Sequence, residues 1–135
     1  MTLSSNYHHL VTSGKLAHLL PGRLPQLVLV EGPSMEPQLP NGAWAVLLPR
    51  PGRLPKVGQV VVAEHPGHLG FEMVKRVSAV SASRGLVWLA GDNREHSSDS
   101  EEFGPVRRQL VVGPVVAVVR PGRPHLVRID PSRLW

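Results

Sequence analysis

The stretch Glu31-Gly32-Pro33-Ser34-Met35-Glu36-Pro37 holds one serine on a backbone pinned by two prolines and a glycine. Pro33 fixes φ just before Ser34, and Gly32 lets another backbone come close. A serine on such a rigid turn is placed to act as a nucleophile; the same residues also make an ordinary turn. A nucleophilic serine needs a base. Seven histidines are available: His8, His9, His18, His65, His68, His96 and His125. None lies on an apolar strand, His65-Pro66-Gly67-His68 reads as a turn, and no carboxylate accompanies them at metal-ligand spacing. No metal and no other cofactor is expected.

Lysine is the other base. There are three, and Lys75 stands apart from Lys15 and Lys56 because it lies in Phe71-Glu72-Met73-Val74-Lys75-Arg76-Val77. Strand alternation puts Phe71, Met73, Lys75 and Val77 on one face, with Glu72, Val74 and Arg76 on the other. A free lysine, with a pKa of about 10.4, accepts no proton at neutral pH. Burial disfavours the ammonium. Reaching a working value near 8 takes about 3 kcal/mol of differential solvation, which a small β domain can supply. The alternative is a lysine that snorkels to water or pairs with a carboxylate.

A third segment, running from Gly91-Asp92-Asn93 through Ser97-Ser98-Asp99-Ser100 to Gly104, is polar and lodged between apolar strands. Its side chains suit an ordered loop of Asx- and ST-turns. From such a loop Ser97 or Ser100 could orient a neutral lysine, or the loop could be a solvated surface.

The elements that must position these residues are Val-rich runs between 14 Pro and 13 Gly. Strands are expected at Gln26–Glu31, Ala43–Leu48, Gln59–Glu64, Phe71–Val80, Gly85–Ala90 and Gln109–Val119. Thr12–Leu20 alone reads as helical. The fold expected is mostly β, a compact bent-sheet or barrel-like domain. It divides into an N-terminal segment (1–25), a core (26–120) and a C-terminal tail (121–135). The repeated PGRLP at 21–25 and 51–55, with PGRP at 121–124, is turn chemistry, or more remotely a set of phosphate-binding arginines.

Composition narrows the function classes. The 135 residues suffice for one domain, and with no cysteine there are no disulfides and no thiol chemistry. A net charge of +5 invites nucleic acid, but six scattered aromatics make no stacking platform. No apolar run of about 20 residues forms a transmembrane anchor, and no export signal opens the chain.

The three segments together resemble the signal peptidase I family, which uses a Ser-Lys dyad. The matches are Ser34-Met35-Glu36-Pro37, the Lys75-Arg76 pair, and Gly91-Asp92-Asn93 followed by Ser97-Ser98-Asp99-Ser100 and Gly104. Val111-Val112-Gly113-Pro114-Val115-Val116 looks like its closing strand. The matches run in order over residues 26–120. The resemblance implies a LexA-like catalytic core, with Ser34 as nucleophile and Lys75 as general base. Ser97 would orient the lysine. Asp99, with Asp92, Asn93 and Ser100, would be structural near the site. Oxyanion donors would include the Ser34 backbone N–H; the position that carries a second hydroxyl in many members is Gly32 here. The family's arginine after Asp-Ser is replaced by Glu101, leaving Arg94, Arg107 and Arg108 as substitutes.

The family adds its peptide substrate as a strand, with small residues one and three positions before the cut. Gln26–Gly32 and Glu72–Lys75 would flank the peptide, and Val30, Met35, Leu39, Met73 and Val74 would line its pockets. Short members that mature nickel-containing superoxide dismutase look similar, in the Glu31–Pro37 stretch and in length. That likeness implies a cytoplasmic enzyme acting on a nickel superoxide dismutase precursor. Three alternatives remain: a signal peptidase working with a membrane partner, a LexA-like self-cleaving regulator, and a basic module binding nucleic acid. A regulator would need a DNA-binding domain ahead of the core, and its cut would fall at Ala90-Gly91.

Overall fold

The computed structural model describes residues 2–3 and 24–129. Among the described residues nine strands form one antiparallel sheet: β1 (Thr2–Leu3), β2 (Gln26–Glu31), β3 (Trp44–Leu47), β4 (Val60–His65), β5 (His68–Ser81), β6 (Leu86–Ala90), β7 (Val106–Arg107), β8 (Val111–Arg120) and β9 (Arg123–Arg128). Their order is β1-β2-β3-β8-β4-β5-β6-β7, with β9 on β8. β1 also pairs with β5, so six strands close into a ring. The mostly β, bent-sheet architecture expected from the sequence is the one the chain adopts.

The valine-rich runs become strands because both faces of the bent sheet find cover. In β4, Val60 and Val62 enter one core cluster with Val28, Val30, Met35, Leu39 and Val74. Val61 and Ala63 point the other way, into a cluster with Met73, Val77, Val87 and Leu89. A strand buried on both sides loses the alternation of polar and apolar residues. Shifts of register in β3, β4, β5 and β8 bend the strands around these two cores.

The sheet continues past residue 120, where Pro121-Gly122 turns β8 into β9. Gly122 has φ 71° and Gly52 has φ 75°, the left-handed backbone that a type II turn needs at its third residue. Between β6 and β7 a 3-10 turn (Arg94–His96) leads to a short helix, α1 (Ser100–Phe103). The sequence reading expected only turns there. The helix expected over Thr12–Leu20 lies outside the described residues.

Candidate active site

β2 ends at Glu31, and the chain folds into a tight turn around Ser34. Glu36 N–H donates to the Pro33 carbonyl (3.0 Å), and Leu39 N–H to that of Met35 (2.9 Å). Beneath the turn, the segment after β6 braces it. Asn93 N–H donates to the Ser34 carbonyl (2.8 Å), and Asn93 Nδ2 to that of Pro33 (3.1 Å). Met35 is wholly buried and anchors the turn in the first core cluster.

β5 brings Lys75 across from the other side. Its Nζ lies 3.4 Å from Ser34 Oγ and 2.7 Å from Ser97 Oγ. Ser34 and Lys75 are 3% and 2% exposed, so the pair is shielded from bulk water. Removal from water holds the amine below its ordinary value of 10.5, and the carboxylates of Asp99 and Glu102 pull it the other way. The lysine therefore does not snorkel. It is a desolvated amine between two hydroxyls, and a neutral amine there can accept a proton from Ser34 while donating to Ser97.

The next residue serves the opposite face. Arg76 is 1% exposed and forms a two-pronged ion pair with Asp92, Nε to Oδ1 and Nη2 to Oδ2, each 2.8 Å. It also donates to the Gly58 carbonyl (2.8 Å) and to Gln38 Oε1 (2.5 Å). One guanidinium thus ties β5 to the loop that carries Asp92 and Asn93, and to the chain just after the serine turn. The sequence reading gave Arg76 no such task. A buried cation of fixed charge needs a buried acceptor, and that requirement was the available signal.

Other expected residues fall as follows. Asp99 caps α1, accepting from Glu101 N–H (2.9 Å), and Ser100 Oγ accepts from Leu89 N–H (2.8 Å); both fasten the loop from which Ser97 reaches Lys75. Gly32 has φ 86°, and its N–H donates to Asn41 Oδ1 (2.9 Å). Val30, Met35, Leu39 and Val74 sit in the core behind the site, whereas Met73 lines the open cleft. That cleft, about 450 Å³, also takes in His65, His68, Phe71 and His96. The sequence had placed the histidines in turns, and the β4–β5 hairpin carries two of them to the rim. Among the described residues no group of His, Asp and Glu is arranged to hold a metal.

Gly91 marks how tightly the parts fit. A Cβ there would overlap Ser97 Oγ and Cβ and lie 2.7 Å from the Ser34 carbonyl oxygen. Backbone cannot yield as a flexible side chain does, so Gly91→Ala is expected to cost about 1–3 kcal/mol by overpacking. Urea denaturation checks this; an unchanged midpoint would show that the contact has slack.

Comparison with known proteins shows what the chain is similar to. The family described as signal peptidase, peptidase S26, matches residues 81–120. Mitochondrial inner membrane protease subunit 1 of Schizosaccharomyces pombe is 36% identical over 120 residues, covering 74% of this chain and 76% of that protein. The Homo sapiens subunit 1 is 28% identical over 128 residues, covering 80% and 77%. Subunit 2 of Saccharomyces cerevisiae is 45% identical over 42 residues, covering 31% and 24%.

These relatives overturn the expected cytoplasmic location, since they are named for the mitochondrial inner membrane. The expectation failed for a physical reason. Among the described residues no helix is long and apolar enough to cross a membrane, but that bears on spanning and not on compartment. By its likeness to these proteases over most of its length, the chain belongs to the signal peptidase family.

Proposed function

We propose that the chain is a serine endopeptidase in which Ser34 and Lys75 form the catalytic dyad. The observation that carries this is the buried amine held between two hydroxyls. Neutral Lys75 takes the Ser34 proton as Oγ attacks the carbonyl before the cut. The resulting ammonium then protonates the leaving amine, and the acyl group remains as an ester on Ser34. Water, deprotonated by the same amine, releases it. Ser97 fixes the amine's orientation, and the Ser34 N–H is a donor to the developing oxyanion. The Gly32 N–H is already engaged by Asn41, so it is not counted as a second donor.

The substrate is an extended peptide lying between Gln26–Gly32 and Glu72–Lys75, with small residues one and three positions before the cut. Met73 lines the cleft, and the packed side chains of Val30, Met35, Leu39 and Val74 stand behind it, leaving no depth for larger groups. The relatives' names include the words membrane and subunit, so we place the substrate, a protein with an N-terminal leader, at a membrane surface with a second subunit present. The narrower reading, a nickel superoxide dismutase precursor, rests on the Glu31–Pro37 stretch alone. The relatives lend it no support. Self-cleavage at Ala90-Gly91 is disfavoured because that bond is buried beneath Ser34 and Ser97.

The test is cleavage of a peptide with Ala one and three positions before the cut. The wild-type chain should cut it, and should leave a version with Leu at the position before the cut intact. The base must be neutral to act. Activity is therefore expected to be low where Lys75 is protonated and to rise with pH through its folded value. Because burial lowers that value, the rise comes below 10.5. A rate that falls as pH increases over this range would remove Lys75 from the role of base.

A further inference from the structure

The described strand β1 lies in an informative place. On one side it pairs with β2, Thr2 opposite Glu31 and Leu3 opposite Val30. On the other it pairs with β5, Thr2 opposite Met73. β2 ends at Glu31, three residues before Ser34 in the turn that follows, and β5 runs on to Lys75, two past Met73. At about 3.3 Å per residue, Thr2 is roughly 7 Å of strand from Lys75. This is the slot that the proposed function reserves for the substrate residues before the cut.

Direction decides what such an occupant can do. A substrate whose residues before the cut fill the slot must run towards Ser34 from N to C, parallel to β2 and β5. β1 is antiparallel to both. It enters at the Ser34 end and runs away, so the peptide groups it places there follow one another in the wrong order for cleavage. The slot is filled by backbone pairing, while no acyl group arrives in the sense that Ser34 attacks.

We infer that the chain's own N-terminal strand is a competitive occupant of the peptide slot, bound in reverse so that it blocks the site without being cut. The inference rests on the proposed peptide slot. Two paired residues are a weak contact alone. Joined to β2 in one chain, they pair intramolecularly, with the effective-concentration advantage that a separate peptide lacks. A substrate offering a longer strand displaces them, with its apparent affinity reduced by the fraction of sites left open.

The test replaces Thr2 and Leu3 by proline, which removes the N–H donors that strand pairing uses. Binding of a labelled peptide with Ala one and three positions before the cut is measured by fluorescence anisotropy in a Ser34→Ala background. The double substitution is expected to tighten binding about tenfold. In the chain that keeps Ser34, KM should fall by the same factor with kcat unchanged. Equal affinity with and without the prolines overturns the inference. So does a mass loss showing that the chain removes its own first residues. Added separately, the hexapeptide Met-Thr-Leu-Ser-Ser-Asn should compete for the proline variant and remain whole; absence of competition counts against the inference. If the double variant does not fold, Leu3→Pro alone carries the same comparison. Tighter binding by the proline variant, together with a Ser34 chain that cleaves nothing, would sink the Ser-Lys mechanism and leave the reversed occupant standing.

Discussion

Lys75→Met is expected to abolish peptide cleavage, lowering kcat/KM by about 10⁴-fold while leaving the fold at least as stable. The two halves of this result have one cause. The amine is buried, so the protein forgoes its hydration, and an apolar side chain of similar length loses nothing by taking its place. What disappears is the lone pair 3.4 Å from Ser34 Oγ. Lys75→Arg sharpens the test: it keeps a cation that never deprotonates, and it should be as inactive as the methionine variant. Ser34→Ala should match both, since dyad members act as a unit and their losses do not add. Steady-state kinetics with a thermal melt on each variant makes the check. Cleavage by Lys75→Met at near wild-type rate would end the dyad reading.

The second large effect concerns stability. Asp92→Ala leaves the Arg76 guanidinium buried without its carboxylate, and breaking a buried pair in this way costs about 3–5 kcal/mol. The Asp92 side chain is 15% exposed against 2% for Arg76, so water can reach one partner and the loss should fall near the lower end. For a domain of this size that corresponds to a fall in Tm of roughly 10 °C. Asp92→Asn keeps an acceptor for Nε and should fall between the variant and the wild type. Activity should decline with Asp92→Ala even below the melt, because the same loop carries Asn93 to the Ser34 turn. A melt within a degree or two of wild type would mean that Gln38 and Gly58 suffice for Arg76.

Much of this was legible in the residues. Valine runs bounded by proline and glycine marked six of the strands, and Gln26–Glu31 has the expected bounds. Ser34, Lys75 and Ser97, which the resemblance to the signal peptidase family singled out, lie together in the structure, and each is held by local chemistry: a pinned turn, an alternating strand, a capped loop. The pairing of Arg76 was hidden because its partners lie at Gln38, Gly58 and Asp92, far apart in the chain and joined only by the closed sheet. The histidines of the cleft were hidden for a related reason. A hairpin turn reads as a turn in the sequence, and only the bend of the sheet brings it over the site. Glu101 stands where the resemblance leads one to expect an arginine, and in the structure its N–H donates to Asp99 Oδ1, while the buried ion pair is formed by Arg76 and Asp92.

Neighbouring residues of β5 present two cations to opposite sides, one able to give up its proton and one not. A slip of a single position would exchange them, setting a permanent charge beside Ser34 and an ammonium against Asp92. The two-pronged grip of Asp92 fits the planar fork of a guanidinium and not an ammonium, so the observed register satisfies it and a one-residue slip would not. The same register that joins the guanidinium to its carboxylate turns the Lys75 amine towards the alcohol of Ser34.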